Sequence, residues 1–145
     1  MSGIIVHDWI SKTGGAEKVL DAMVETLPDA EIWCLWNDVP ESRYPGRIVR
    51  ESWLARTPLR RAKAVALPLM PLTWRTHRTT SAEWILASSH VFAHHVSLGG
   101  NNAEVEKFAY VHTPARYVWT PELDARGAGW LPRLVPAPVS PVSDV

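Results

Sequence analysis

GIIVHDWISKTGGAEKVLDAMV, residues 3–24, holds a strand, a turn and a helix in one run. Gly3-Ile4-Ile5-Val6 is a short apolar stretch, as expected of a strand covered on both faces. From Ala16 the period changes, and Ala16, Val19, Leu20, Met23 and Val24 recur at helical spacing. Between them lies Ser11-Lys12-Thr13-Gly14-Gly15, made of small residues and one cation. Two readings of this loop stand side by side. Glycines let a backbone approach a ligand closely, and the N–H groups of a first helical turn suit an anion. Equally, a strand can turn into a helix here with nothing bound. The spacing matches neither the G-x-G-x-x-G dinucleotide fingerprint nor a Walker A loop.

Outward from this unit the pattern repeats. Strands are predicted at Gly3–His7, Ala30–Leu35, Arg47–Arg50, Trp84–Ala87 and Lys107–His112. Helices are predicted at Ala16–Thr26, within Leu59–Leu67, around Leu72–Thr79 and at His90–Val96. Such alternation predicts an α/β fold, a Rossmann-like parallel sheet with helices on both faces. We divide the chain into a domain over 1–131 and a proline-rich tail over 132–145. Pro132, Pro136, Pro138 and Pro141 cannot supply a central strand, because proline lacks the backbone donor. In a sheet of order 3-2-1-4-5 the fifth strand is then an exposed edge bearing Phe108, Ala109, Tyr110 and Val111. Lys107 is its one candidate gatekeeper, and pairing with a second copy is expected.

The chain has 145 residues, enough for one domain with a real core. Formal net charge is zero, which gives no electrostatic case for nucleic acid. Cys34 is the only cysteine, so no internal disulfide can form, as suits a reducing compartment. There is no basic-plus-apolar leader and no apolar run approaching ~20 residues. A cytoplasmic location is the expectation. Residues 53–78, WLARTPLRRAKAVALPLMPLTWRTHR, carry Arg56, Arg60, Arg61, Lys63, Arg75 and Arg78 with no acid. Cations interleaved with Trp53, Val65, Leu72 and Trp74 suit peripheral contact with an anionic membrane, here the inner face of the plasma membrane. A helical hairpin with a solvated basic face, broken at Pro68 and Pro71, is the alternative.

In an open α/β sheet, ligands bind beyond the carboxyl ends of the strands. His7 and Asp8 end the first strand. Ser88, Ser89 and His90 end the fourth. His112, Thr113 and Pro114 end the fifth, followed by Arg116. Parallel strands would bring them to one rim, although any single histidine there can be purely structural. His90 and His94 stand four apart, a spacing that places two metal ligands on one helix face. No H-E-x-x-H, second cysteine or carboxylate partner accompanies them, and we assign no metal. Ser88-Ser89 lacks the G-x-S-x-G elbow of a serine hydrolase. No carboxylate pair supports a glycosidase.

Five blocks together carry a resemblance: VHDW…GGAEKVL, LPDAEIWCLW, LPLMPL, SSHVFAHHV and YVHTPARYVW. In this order they resemble the N-terminal, acceptor-side domain of family 4 glycosyltransferases of bacterial envelope polysaccharide synthesis. The resemblance covers about Ile4 to Trp119. It implies a GT-B enzyme, two Rossmann-like domains facing across a cleft. Such an enzyme transfers a sugar from a nucleotide-sugar donor, with retention and without a required metal or other cofactor, to a lipid-linked or glycan acceptor. By the resemblance, Gly14 and Gly15 approach the donor diphosphate or the acceptor. His112, in the HTP block, contacts the transferred sugar and supports its transition-state charge. Arg116 and Tyr117 line the acceptor side. His90 matches a family histidine, and His7, Asp8 and Ser89 join it as substrate-binding candidates. Thr120 departs from the acidic residue usual in the family. The paired glutamates of a donor-binding domain have no counterpart in these residues. The expectation is the acceptor-binding half of a retaining glycosyltransferase, inactive without its donor domain. The alternative is a non-catalytic interaction or lipid-binding module that kept the fold.

Overall fold

The computed structural model describes residues 3–76, 82–97 and 105–113. They contain a five-stranded, all-parallel sheet of order β3-β2-β1-β4-β5, with β1 Gly3–His7, β2 Glu31–Cys34, β3 Val49–Glu51, β4 Trp84–Ser89 and β5 Glu106–Val111. This is the Rossmann-like α/β arrangement expected from the alternation of apolar runs. The first crossover is α1, Gly15–Thr26. Two short helices, α2 Lys63–Ala66 and α3 Met70–Thr76, belong to the connection between β3 and β4.

Alternation along the strands divides the core in two. Ile5, Ile32 and Cys34 pack with Leu20 and Val24 of α1. Ile4, Val6, Trp33 and Ile85 pack with Ala66, Met70 and Trp74. Both faces of the central strands are thus covered, which is why their sequences read as continuous apolar runs. Trp33, Trp36 and Trp74 are core residues, whereas Trp53 stays 49% exposed. Gly3 lies beside Trp84 in register, and a Cβ on Gly3 would sit 1.9 Å from the Trp84 ring. The glycine makes room for that indole. Cys34 is buried and its thiol is pushed up by desolvation, so it packs as a small apolar residue.

Several expectations need correction. Residues 53–76 form no helical hairpin. They run through single 3-10 turns at Trp53–Arg56, Pro58–Arg61 and Leu67–Leu69 into α2 and α3. Ser52 caps the first of these turns, accepting from the Leu54 N–H. Pro58, Pro68 and Pro71 each sit where a turn starts, positions that need no proline N–H. The helix predicted at His90–Val96 is only a 3-10 turn at Ala93–His95. The Asp8 carboxylate takes the N–H groups of His90, Val91 and Phe92 and bends the chain there. His90 and His94 therefore do not share a helix face. The 131/132 boundary, the proline-rich tail and the end of the helix predicted to Thr79 lie outside the described residues.

Among the described residues, β5 pairs with β4 alone, and all six of its residues are exposed. Lys107 does not guard the outer edge. Its ammonium donates to the carbonyls of His94 (2.6 Å) and Val96 (2.8 Å), fastening the preceding turn to the strand. An unguarded edge invites pairing with a second copy. The expected result is that amide protection at Phe108–Val111 rises with protein concentration in hydrogen exchange. Equally slow exchange across a dilution series that dissociates any oligomer would mean the edge is covered within one chain.

Candidate functional site

The carboxyl ends of β1, β4 and β5 do meet. His7 lies opposite Ser88, and Ser88 opposite Tyr110. The ladder continues one step, since the His112 N–H donates to the Ser89 carbonyl at 2.8 Å. This places the Ser88 hydroxyl between two imidazoles, 3.0 Å from His7 Nδ1 and 2.8 Å from His112 Nε2. His90 completes the group, its ring centroid 5.4 Å from His7 and 6.3 Å from His112. No cluster of metal-ligand geometry occurs among the described residues.

Burial rises toward the centre. His7 and Ser88 are fully buried, whereas His90 and His112 are partly exposed. Desolvation, helped by His90, lowers the His7 pKa to about 4, against the pull of Asp8 and Glu17. Burial lowers His90 and His112 as well, with Asp8 and Glu17 opposing in both. At neutral pH the rim is a set of neutral imidazoles. Among the described residues His7 Nε2 has no hydrogen-bond partner. His90 Nδ1 lies 3.4 Å from Asp8 Oδ2, an electrostatic contact longer than a made hydrogen bond.

Asp8 is fully buried, and its role is to build the rim. Its two oxygens accept from three consecutive backbone N–H groups at 2.8–2.9 Å. That cradle sets the loop carrying His90. Trp9 forms the next wall, stacked on Trp36 at 2° and edge-on to His90 with centroids 4.4 Å apart. The Lys63 ammonium sits over the Trp9 ring, 4.5 Å from its centroid, and so links the basic segment to the rim. Ser89 is held by His94, Oγ to Nδ1 at 2.8 Å.

The glycine loop is exposed, but an acid stands inside it. Glu17, 4% exposed, accepts from the backbone N–H and the hydroxyl of Ser11. Burial opposes its ionisation, yet the Ser11 contacts and its own N–H outweigh that and hold its pKa below the usual range. A Cβ on Gly14 would lie 2.0 Å from this carboxylate. Gly14 therefore makes space for Glu17, and an internal anion stands where the sequence suggested an external one.

No family model, curated protein or solved structure matches this chain significantly.

Of the residues singled out by sequence, His7, Asp8, His90 and His112 meet at one rim; the Ser89 side chain goes to His94 instead, and Arg116 and Tyr117 lie outside the described residues. Trp9 and Glu17 were not among those candidates, and Ser88 was placed at the rim without a role of its own. Glu17 was detectable, three residues after Gly14 at a position that commonly returns to a helix start. The place of Ser88 between two histidines was not, because it depends on strand register. Two clefts of about 390 and 400 Å³ share Tyr44 and Arg47, the first lined also by Val49 and Glu51 of β3 and the second by Asp21, Val24 and Glu25 of α1. Their polar groups already serve the fold: Tyr44 and Arg43 hold Asp21, and Arg47 holds the carbonyls of Val24 and Leu27. The histidine rim is the better candidate.

Proposed function

We propose that this domain is the acceptor-binding half of a retaining glycosyltransferase. With a nucleotide-binding domain, it transfers a sugar from a nucleotide-sugar to a lipid-linked or polysaccharide acceptor. The observation that supports this most is the convergence of His7, Ser88 and His112 at the carboxyl end of a parallel sheet. A partly exposed histidine there, held from behind by buried groups, can contact a sugar hydroxyl and stabilise developing charge. The experiment is nucleotide-sugar turnover. Transfer is expected only when a nucleotide-binding domain is supplied, and then His112→Ala should lower kcat ~10²-fold with little change in KM. Measurable transfer by the 145-residue chain alone would overturn the division into halves. An unchanged kcat in folded His112→Ala would return His112 to a structural role.

A second reading, a non-catalytic lipid-binding module, is favoured by the carboxylate of Glu17 inside the glycine loop, where it would repel a phosphate. Both readings use the basic segment. Trp53, Val65 and Leu72 are 49%, 63% and 55% exposed, and Arg56, Arg61 and Arg75 form no ion pair among the described residues. Arg60 differs, being held by Asp38 at 2.5 Å. No helix among the described residues is long and apolar enough to cross a membrane. Peripheral docking on anionic lipid is therefore the form of contact proposed. Anionic vesicles should bind the domain more than neutral ones, and salt should weaken the binding. Arg56→Gln with Arg61→Gln should cost roughly 30-fold, at about 1 kcal/mol per charge. Equal sedimentation with both vesicle types would remove the electrostatic contact.

A further inference from the structure

We infer that Ser88 and His7 are positioning residues that hold His112 in its Nδ1–H tautomer, so that its outward side presents a hydrogen-bond donor to an acceptor oxygen at the rim. Ser88 Oγ is within hydrogen-bond distance of two imidazole nitrogens, His7 Nδ1 and His112 Nε2. Each of these two bridges needs one proton, and a serine hydroxyl supplies only one. If both imidazoles donated, the buried Ser88 hydroxyl proton would have no acceptor among the described residues, so the hydroxyl supplies one proton and one imidazole the other, which leaves two arrangements. In the first, His7 Nδ1–H donates to Ser88 Oγ and the Ser88 hydroxyl donates to His112 Nε2. The remaining His7 nitrogen is then a bare acceptor, and the His112 proton sits on Nδ1. In the second, His112 Nε2–H donates to Ser88, the hydroxyl donates to His7 Nδ1, and the His7 proton sits on Nε2.

The buried end of the chain distinguishes them. His7 is fully buried and its Nε2 has no hydrogen-bond partner among the described residues. The second arrangement strands an N–H donor there. The first strands only a lone pair, and orphaned buried donors are the rarer and costlier of the two. Desolvation keeps both rings neutral at pH 7, so a doubly protonated His7 does not intervene. The same logic opposes a cationic His112. Its Nε2–H would reverse the chain and strand the proton on His7. Among the described residues the His112 side chain hydrogen-bonds to Ser88 alone, so Nδ1 is the nitrogen left for a ligand.

The tautomer stands without any glycosyltransfer. That the acceptor is a sugar oxygen rests on the proposed function. The test is two-bond ¹H–¹⁵N correlation of the imidazoles in the ligand-free 145-residue chain at neutral pH, the His112 signals being assigned by their absence in His112→Gln. The expected pattern has His112 Nδ1 pyrrole-type and Nε2 pyridine-type, the reverse of the form a free histidine side chain prefers. Ser88→Ala should lose that pattern and show Nε2–H, whereas Ser88→Thr, which keeps the hydroxyl, should retain it. His7→Asn places an amide N–H near the position of Nδ1 and should retain it too. His112 with Nε2–H in the unaltered chain overturns the inference, as does a Ser88→Ala spectrum unchanged at His112. Retention of the pattern in His7→Leu, which has no N–H to give Ser88, removes His7 from it. None of these readouts involves transfer, so the tautomer can fail while the proposed function stands, and the reverse.

Discussion

Asp8→Ala is expected to destabilise the domain by about 3–5 kcal/mol, a large fraction of the stability of a chain this size. The carboxylate is fully buried and accepts from the N–H groups of His90, Val91 and Phe92 at 2.8–2.9 Å. Hydrogen bonds to a charged acceptor contribute about 1.5–3 kcal/mol each, and an abandoned buried donor costs about 1–3 kcal/mol. The desolvation of the carboxylate itself offsets part of that sum, which keeps the estimate below three full bonds. Asp8→Asn should cost less, because its carbonyl can keep one side of the cradle while its NH₂ faces a donor on the other. Urea unfolding of the three proteins measures both. An Asp8→Ala domain within about 1 kcal/mol of the unaltered one would mean that the turn at residues 90–92 finds other acceptors. A folded Asp8→Asn domain should also show altered His90 chemical shifts, since the cradle sets that loop.

Acid should remove about 3 kcal/mol of stability through His7 alone. Its pKa is lowered from 6.5 to about 4 by burial, with the neighbouring His90 adding to the effect. Between these two values the unfolded chain binds a proton that the folded one refuses, so stability rises with pH across this window. The contribution is fully present above pH 6.5 and is lost as pH falls through about 4. At about 1.4 kcal/mol per pKa unit the window corresponds to about 3 kcal/mol. His90 and His112, also lowered by burial, act in the same direction. So does Glu17, whose stabilising contacts with Ser11 are lost when it is protonated. The measurement must therefore be a difference. Unfolding free energies of the unaltered chain and of His7→Asn at pH 7 and pH 4 should diverge, the variant losing about 3 kcal/mol less. Parallel stability–pH curves would show that burial of His7 is not the cause. The same neutrality at pH 7 underlies the relay through Ser88, so the stability curve and the imidazole spectra report on one arrangement from two sides.

Composition and periodicity were sufficient for the parallel α/β sheet, and the doubly wound rule supplied its order. Ile4, Ile5 and Val6, apolar on both faces, predict a central strand, and the change of period at Ala16 predicts its crossover helix. These signals are local, since they follow from which faces of one element must leave water. The meeting of His7, His90 and His112 was also legible once the strands were taken as parallel, because strand ends are positions in sequence. Three features were decided only by tertiary structure. Asp8 reaches backbone donors more than eighty residues away, and by claiming them it replaces the expected helix at His90–Val96 with a turn. Lys107 turns back to the carbonyls of His94 and Val96 instead of guarding the edge. Ser88 stands between two histidines only because His7 and Ser88 are paired in register. Each is a long-range polar contact whose partner has no periodic signature, and a one-residue slip in register would have sent Ser88 to the opposite face of the sheet.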